Sequence, residues 1–446
     1  MKKLLLTTAL LIISSTNAQT WQNLGTNGIV SPEPLDIISQ LSIAISSNNV
    51  PYVCHAETAN FSQPSVKRLS GNAWVYNGVA INNNQIGHTT SMALDNQNVP
   101  YVAYSDFDSA TSTTTSYVKR FDGTGWVLVG NLGFATGTVG DIILRIDNNN
   151  VPYVSYNRYG SSENVVVKKF DGTNWNSLGV VTTNSPFYYD FDIDNNNNPV
   201  VTYDGVVGMD VYLYAKKFIG TSWTDIGTGA LVSSLPASRP SLAFDTANNP
   251  TIAYLSGINP DLNVKKFIGT SWTNVGATVA SINIEKPRLA IGPNNIPIVA
   301  YKDQQNGDII NVKKLNGTTW DLITTPTSFE AIDNGLALTI GSNNIPYITY
   351  STSTSIKAKF YDTNLSTTQN EIFSALIIYP NPTNGFLNID TKVAITKIRI
   401  TDLLGKTVLE TSDNFSKIDI SNLNTAVYLL KIQVDGLEKT YKIFKI

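Results

Sequence analysis

Side chains that bind metals or act as nucleophiles are scarce in this chain. Of its 446 residues, one is cysteine (Cys54) and two are histidine (His55 and His88). A single cysteine excludes an intrachain disulfide and a thiolate metal cluster. The histidines have no zinc-ligand spacing and no neighbouring nucleophile, so we predict no metal, no cofactor and no catalytic triad. We expect Cys54 to be a buried inert thiol, and both histidines to lie in loops or at strand ends.

Charge is also sparse, and it is nearly balanced. Charged residues make up 15% of the chain, and the formal net charge is −3. Nucleic-acid binding requires clustered positive charge, and so does a polybasic membrane contact, so we predict neither. Lys-Lys or Lys-Arg pairs recur along the chain, but adjacent side chains of a strand point to opposite faces. We expect one lysine of each pair to be solvated.

Long apolar runs are absent except at the amino terminus, which reads MKKLLLTTALLIISSTNA. Lys2 and Lys3 form a positive end, Leu4 to Ile13 an apolar core, and Ala18 suits the small-residue cleavage rule. Residues 1–18 are therefore expected to be a signal peptide. The run is too short to span a membrane, so we expect no transmembrane anchor. The residue directly after the predicted cleavage site is Gln19 and not cysteine, which argues against a lipoprotein anchor.

Tryptophan, in contrast, recurs at nearly constant steps. The seven tryptophans are Trp21, Trp74, Trp126, Trp175, Trp223, Trp272 and Trp320, separated by 53, 52, 49, 48, 49 and 48 residues. A fixed period of this length indicates a repeat architecture. Each period also carries a proline after an Asn-rich stretch, at positions 51, 100, 152, 199, 250, 297 and 346.

One period contains the pattern of four short strands. In the fifth, residues 241–244, 251–254, 263–267 and 272–275 alternate between apolar and polar residues and are separated by turn clusters. Four antiparallel strands per repeat are typical of a β-propeller blade. The fold class is therefore all-β, with seven blades over residues 19–361. Each tryptophan is expected to pack in the core between blades.

The two ends of the repeat region complement each other. Residues 21–25 resemble a fourth strand that has no first strand before it, and the seventh unit lacks a tryptophan strand. We predict that residues 21–25 pair with residues 356–361 and close the ring, which removes two exposed sheet edges.

The connections suggest where a ligand would bind. Turns between strands one and two are short and uniform, whereas the connections that emerge on the other face vary, and variable loops on a rigid scaffold commonly carry binding sites. Strand one lines the channel, where Arg145, Asp190, Asp192 and Arg288 are charged exceptions among small residues. These four are our candidate ligand-binding residues at the channel mouth. An Arg145–Asp192 ion pair and a solvated surface are the alternatives.

Asp190, Asp192 and Asp194 alternate before four asparagines, which is similar to a calcium loop. Asn195 and Val201 stand where the EF-hand pattern requires glycine and glutamate, so no metal is predicted there.

The turns before the tryptophans read FDGTGW, FDGTNW, FIGTSW and LNGTTW. They resemble the Asp-box turn of sialidase-like propellers, with the aspartate one place late. That resemblance implies a three-arginine carboxylate clamp, for which Arg145, Arg239 and Arg288 are the candidates near strand one. The period with its regular tryptophan also resembles seven-bladed propeller lectins, which implies sugar sites between blades.

Composition changes after Tyr361. Residues 362–372 are predicted to be a linker, and residues 373–446 a small β-sandwich of about seven strands. The motifs YPNPTNG, DLLGK and VYLLK resemble the type A C-terminal sorting domain of the type IX secretion system of Bacteroidetes. The residues that carry the resemblance are Tyr379, Pro380, Asn381, Pro382, Gly385, Gly405, Tyr428 and Lys431. It implies recognition by the outer-membrane translocon, and hence a protein that crosses the periplasm and is secreted or held on the outer cell surface.

The leading functional hypothesis is a non-catalytic binding or interaction module whose partner is a glycan or a surface protein. A carbohydrate-binding lectin and a sialidase-like glycan-active enzyme are the alternatives.

Overall fold

The computed structural model divides into two compact units, Thr20–Tyr361 and the part that follows Tyr361. It describes residues 20–446 except 34–39, 58–62, 79–80, 82–88, 109, 138, 159–164, 183–185, 228–231, 258–259, 326, 334, 363–375, 392–394, 404, 414 and 435–436. The described residues form β-strands and one short 3-10 turn, so the all-β class is confirmed.

The first unit contains seven antiparallel sheets in its described residues. The chain begins with β1 (Thr20–Asn23), the 3-10 turn Thr26–Gly28 and β2 (Ile29–Ser31). The first sheet contains β3 (Ser42–Ile45), β4 (Pro51–Glu57), β5 (Gln63–Ser70) and β6 (Ala73–Tyr76). The second contains β7 (Thr90–Leu94), β8 (Pro100–Asp108), β9 (Thr113–Phe121), β10 (Trp126–Leu128) and β11 (Ala135–Thr136). The third contains β12 (Val139–Ile146), β13 (Pro152–Arg158), β14 (Val165–Phe170) and β15 (Trp175–Thr182).

The remaining sheets repeat this plan. The fourth contains β16 (Tyr189–Ile193), β17 (Pro199–Val207), β18 (Asp210–Ile219) and β19 (Ser222–Asp225). The fifth contains β20 (Ala237–Phe244), β21 (Pro250–Ser256), β22 (Asp261–Ile268) and β23 (Ser271–Asn274). The sixth contains β24 (Ile284–Ile291), β25 (Pro297–Asp303), β26 (Ile309–Asn316) and β27 (Thr319–Leu322). The seventh contains β28 (Leu336–Ile340), β29 (Pro346–Ser351) and β30 (Ile356–Asp362), completed by β1 and β2.

The sheets follow one another in a closed cycle. The first strand of each sheet, called its inner strand below, contacts the inner strand of the next sheet, and β28 of the seventh contacts β3 of the first. β1 pairs with β30, and the Leu24 amide donates to the Ala358 carbonyl at 3.0 Å, which confirms the predicted pairing of the amino-terminal strand. Among the described residues, seven separate apolar clusters fill the spaces between neighbouring sheets. Both faces of each sheet are therefore buried against a neighbour.

The tryptophans form a ring of hydrogen bonds from sheet to sheet. Each indole Nε1 donates to a main-chain carbonyl of the preceding sheet's outer segment. The pairs are Trp21–Ile323, Trp74–Leu24, Trp126–Asn77, Trp175–Val129, Trp223–Leu178, Trp272–Ile226 and Trp320–Ala277, at 2.9 to 3.1 Å. Only Trp21 is fully buried, and the other six are partly exposed at the rim. The tryptophans thus tie neighbouring sheets together besides packing against them.

The backbone beside these indoles fits them closely. Gly78 has φ +86°, and a Cβ atom there would lie 2.6 Å from the Phe121 ring and 3.3 Å from Trp126 Nε1. Glycine is required because it allows both the left-handed backbone and the close approach of the next sheet.

Asparagines form a second ring at the opposite end of the inner strands. The turns after the inner strands are all five residues long, and the asparagine two places before each repeat proline has φ between 58° and 67°. Asparagine tolerates this region better than most residues. Its Oδ1 accepts a hydrogen bond from the turn of the preceding sheet. The pairs are Ser47 N–Asn98, Asn96 N–Asn150, Asn148 N–Asn197, Asn195 N–Asn248, Thr246 N–Asn295 and Asn294 N–Asn344 at 2.6 to 3.0 Å, closed by Ser342 Oγ–Asn49 at 3.1 Å.

The recurring lysine pairs are also more ordered than expected. The first lysine of several pairs donates to a carbonyl in the connection that enters its own sheet from the preceding one, as Lys119 does to Ile81 at 2.6 Å and Lys265 to Val232 at 3.0 Å. The second is exposed in some sheets, but in others it pairs with the turn aspartate, as Lys266 does with Asp245 at 3.4 Å. Solvation of one lysine therefore holds for only some of the pairs.

The second unit contains two sheets that share one apolar core. The strands are β31 (Ile377–Tyr379), β32 (Phe386–Asp390), β33 (Lys397–Thr401), β34 (Thr407–Thr411), β35 (Lys417–Asp419), β36 (Ala426–Val434) and β37 (Leu437–Lys445). They pair in the orders β31-β32-β35 and β34-β33-β36-β37. Leu387, Ile400 and Leu430 are fully buried between them.

Candidate functional site

A cavity of about 800 Å³ lies where the seven inner strands begin. Residues from all seven sheets line it, because each inner strand contributes its first half or the residues just before it. The uniform asparagine turns lie at the other end of the same strands. The cavity therefore opens on the face from which the variable connections enter, the face on which the sequence predicts a ligand site.

Arg145 and Asp192 form an ion pair across neighbouring inner strands. Arg145 Nε lies 3.1 Å from Asp192 Oδ1, and Arg145 Nη1 donates to the Leu144 carbonyl at 3.0 Å. Burial raises the pKa of the Asp192 carboxyl, and the charge of Arg145 opposes that rise. Both side chains are about one-third exposed, so the pair contributes little to stability. The ion-pair interpretation is thus confirmed, while Arg145 also lines the cavity.

Asp190 occupies a position that serine fills in three other sheets, nine residues before the repeat proline. There the Ser91 and Ser241 hydroxyls each accept a main-chain hydrogen bond from the next inner strand, from Leu144 and Leu289, at 3.0 Å. Asp190 Oδ2 accepts the equivalent bond from the Leu242 amide at 2.7 Å. The aspartate therefore links two sheets as well as lining the cavity.

Arg288 occupies the equivalent position in the sixth sheet, but it donates a hydrogen bond to the next inner strand, whereas Asp190 accepts one. Its Nε donates to the Leu336 carbonyl of the seventh sheet at 2.9 Å, and its Nη1 donates to the Pro287 carbonyl at 2.9 Å. The Arg288 side chain is exposed within the cavity. Desolvation by the surrounding protein lowers the pKa of its guanidinium, and the charges of Asp190 and Asp141 oppose that shift. Three of the four predicted channel residues, Arg145, Asp190 and Arg288, thus line one cavity.

Two further cations line the cavity, Arg239 and Lys286. The sequence predicts Arg239 only as a candidate for the arginine clamp, and it does not identify Lys286 as a site residue. Burial, together with the neighbouring charges of Lys302 and Arg288, lowers the pKa of Lys286 to about 8. Both residues lie where the pairing register of the inner strand shifts.

An aromatic group sits beside these cations. The Arg239 guanidinium carbon lies 4.3 Å from the centre of the Tyr188 ring, and Tyr188 lines the cavity. Phe187 is 67% exposed and Tyr188 38% exposed. The amides of both residues donate to Asp204 Oδ1, at 2.8 and 2.9 Å, so the segment before the fourth inner strand is held in place. Exposed aromatic rings carried by a segment that is held in place at a cavity are typical of binding sites.

A half-buried carboxyl, that of Asp141, also lines the cavity. Asp141 Oδ1 accepts from Gln40 Nε2 at 2.7 Å, which joins the segment before the first inner strand to the third inner strand, β12. Burial raises the pKa of Asp141, against the opposing effects of the Gln40 bond and the charge of Arg288.

The remaining sequence candidates lie away from the cavity. His55 lies inside β4 and is fully buried, so the expectation of a loop or strand end was wrong for it, and burial lowers its pKa to about 4. His88 lies outside the described residues. Cys54 is buried, and burial raises its pKa to about 12, in line with an inert thiol.

Asp194 holds its turn by accepting the amides of Asn196 and Asn198, and it pairs with Lys217. Across the part of the chain that the structure describes, no cluster of three metal-ligating side chains is found.

The sorting-motif residues lie in the second unit, at the end of β31 and in the segment between β31 and β32, in the turn after β33 and on β36. Asn381 Nδ2 donates to the Lys442 carbonyl and its Oδ1 accepts from the Phe444 amide, both at 2.9 Å, so the YPNP segment is fixed to β37. Gly405 has φ +83° in the turn after β33. Tyr428 is buried in β36, where its hydroxyl donates to the Asn424 carbonyl at 3.0 Å.

Comparison with known families identifies this unit. Residues 377–445 match the family described as the secretion system C-terminal sorting domain. This is the sorting tail of the type IX secretion system. The sorting tail indicates export, to the cell surface or into the medium. Within the described residues, no helix is long and apolar enough to cross a membrane.

Solved structures resemble the repeat region in fold. A polysaccharide lyase of family PL25, an ulvan lyase, is 12% identical, with a TM-score of 0.55 over 77% of this chain and 98% of its own. A lectin of Aleuria aurantia is 13% identical, with a TM-score of 0.44 over 66% of this chain and 99% of its own. At this identity the likeness to the lyase shows the fold alone. No curated protein sequence matches the chain.

Proposed function

We propose that the first unit is a seven-bladed β-propeller spanning residues 19–361, closed by its amino-terminal strand, and that a linker (362–372) and a small β-sandwich (373–446) follow. The seven sheets, the cyclic contacts of their inner strands and the pairing of β1 with β30 support this architecture. In this view the signal peptide (residues 1–18) and the sorting tail carry the propeller out of the cell, with the type IX translocon as the tail's partner.

The exported propeller acts as a binding module for a carbohydrate at the channel mouth. The supporting observation is the cavity of about 800 Å³, which has both aromatic rings and hydrogen-bonding side chains in or beside its wall. Ligand pockets have volumes of this order. The exposed ring of Tyr188 suits the apolar face of a sugar, and Arg239, Gln40 and Asp141 suit its hydroxyl groups. Binding, rather than catalysis, remains the primary proposal.

The test is a glycan array probed with the mature chain and with Tyr188→Ala. Tyr76→Ala is the matched control, because Tyr76 is an exposed tyrosine on the outer strand β6. Loss of one stacked ring should weaken binding about tenfold or more, while the control binds like the parent. Calorimetric stoichiometry of one sugar chain per protein supports the channel site. Several sites per chain would favour lectin-type sites between blades, and equal binding by all three proteins would reject the proposal.

A glycan-active enzyme is the second candidate. It is favoured by one observation: Arg145, Arg239 and Arg288, the three arginines near strand one, all line the same cavity as the half-buried carboxyl of Asp141. Incubation with the glycans bound on the array should then release new reducing ends, and Asp141→Asn should abolish that release. If the glycans are unchanged, the enzyme hypothesis is rejected and only the binding proposal is retained.

A further inference from the structure

Arg239 and Lys286 occupy equivalent positions in neighbouring sheets. Each lies eleven residues before its repeat proline, and each precedes another proline, Pro240 or Pro287. Both have a left-handed backbone, with φ +55° at Arg239 and +51° at Lys286. Each lies at a break in the pairing of its inner strand, between Ser238 and Ser241 in β20 and between Glu285 and Arg288 in β24. The same local backbone feature, a left-handed cationic residue at a break in strand pairing, therefore occurs in both sheets.

Such a break redirects a side chain that regular pairing would fix. A β-bulge re-aims side chains and is frequent next to functional sites. A left-handed backbone is unfavourable for any residue with a Cβ atom, and glycine would relieve it. The two sheets carry long cations at this position instead, and both cations line the cavity. Unusual backbone geometry of this kind points to a role for the side chain.

The charge balance of the cavity points the same way. Its charged lining residues are four cations and two carboxylates, although the whole chain has a net charge of −3. Arg145 is paired with Asp192. The carboxylates are engaged by the protein, Asp190 by the Leu242 amide and Asp141 by Gln40.

The cations at the bulges lie near opposite charges, and Lys286 Nζ also donates to the Asp333 carbonyl at 3.5 Å. Arg239 Nη2 is 4.0 Å from Glu285 Oε1, at the limit of an ion pair. Around Lys286, the charges of Lys302 and Arg288 act against the ammonium form, and those of Glu285 and Asp333 favour it. Lys302 is itself paired with Asp308 at 3.1 Å. The lining of the cavity therefore contains more cations than carboxylates even though these local charge pairs are present.

We propose that Arg239 and Lys286, together with Arg288, hold an anionic substituent of the carbohydrate, a carboxylate or a sulfate ester, beside the ring of Tyr188. This inference rests on the proposed carbohydrate-binding function. Guanidinium and ammonium groups bind both anions by charge-assisted hydrogen bonds. The ring of Tyr188, which stacks on Arg239, would contact the sugar that carries the anion.

The experiment measures binding of three probes by calorimetry: an oligogalacturonate, its methyl ester and a sulfated oligogalactan. The variants are Lys286→Gln and Lys286→Arg, with Arg120→Gln as the matched control because Arg120 is an exposed cation on β9. Glutamine has the same left-handed cost as lysine, so the backbone strain is unchanged. We expect Lys286→Gln to weaken binding of the acidic probe about tenfold, as loss of a charged hydrogen bond predicts. Lys286→Arg and Arg120→Gln should retain it.

The three probes separate the possible outcomes. Binding of the oligogalacturonate but not of its ester identifies a carboxylate, and preference for the sulfated probe identifies a sulfate ester. Equal binding of acid and ester, lost in Tyr188→Ala, would overturn the anion inference and leave the proposed function intact. Failure of all three probes would also overturn it, with the glycan array deciding the proposed function separately.

Discussion

Asn150 offers a direct test of the asparagine ring. Its Oδ1 accepts the Asn96 amide of the preceding sheet at 2.8 Å, and its backbone is left-handed, with φ +62°. Asn150→Gly removes the side-chain acceptor while the backbone conformation stays available at no steric cost. The Asn96 amide is exposed, so water can replace the lost acceptor. The expected loss of unfolding free energy is therefore a single net hydrogen bond, about 1 kcal/mol.

Asn283→Gly is the matched control. Asn283 is also an exposed asparagine with a left-handed backbone, φ +54°, but its side chain takes no part in the asparagine ring. The changes in backbone strain and in unfolded-chain entropy are thus similar for both variants, and they cancel in the comparison. The difference between the two free energies isolates the inter-sheet bond.

Urea unfolding followed by tryptophan fluorescence is a suitable assay. The tryptophans bridge neighbouring sheets, so their emission reports separation of the sheets. Asn150→Gly should lie about 1 kcal/mol below Asn283→Gly, with the same urea dependence. A difference below about 0.3 kcal/mol, the usual error of such comparisons, would refute a stabilising role for the ring.

Two further predictions concern Trp126 and His55. Trp126→Phe removes the indole donor to the Asn77 carbonyl and part of the side chain's contact area. The unfolding free energy, measured by urea titration, should therefore fall by roughly 1–2 kcal/mol. An unchanged urea midpoint would contradict a stabilising role for the tryptophan hydrogen bonds between sheets. His55 has a folded-state pKa of about 4, lowered by burial and by Lys67 against the opposing charge of Glu57, and its ordinary value is 6.5. The contribution of neutral His55 to the unfolding free energy is complete above pH 6.5 and decreases by roughly 3 kcal/mol as pH falls towards 4. His55→Phe should therefore flatten the dependence of unfolding free energy on pH in that window. An equally steep dependence in the variant would contradict the assignment.

Much of the fold follows from repetition in the sequence. The tryptophan period and the repeat prolines define one structural unit, so a single interpreted repeat predicts the strands of all seven. The same comparison of repeats predicts the closing strand, because residues 21–25 supply the tryptophan strand that the seventh unit lacks. Boundaries were less accurate, because main-chain pairing extends past the apolar alternation: the second strand of the fifth sheet runs over Pro250–Ser256, beyond the predicted 251–254.

Contacts between repeats were harder to predict. The asparagine before each repeat proline was visible as a turn residue, but its hydrogen-bond partner lies about 50 residues away in another sheet. Alignment of the repeats could have placed His55, since it stands where other sheets carry a buried tyrosine such as Tyr104 or Tyr156. Lys286 could not be found in this way, because the bulge breaks the alternation from which strand faces are predicted.

The choice of residues for testing function follows from how each is used in the fold. Asp190 and Arg288 stand out by charge in the sequence, yet both also bond the next inner strand. Their substitution would disturb the contacts between sheets together with the cavity, so a loss of binding would not be attributable to ligand contact. Tyr188 presents its ring to the cavity, and its main chain, not its side chain, is held by Asp204. A substitution there changes the cavity surface while the link to Asp204 is kept, which makes Tyr188→Ala the variant that separates ligand recognition from ring closure.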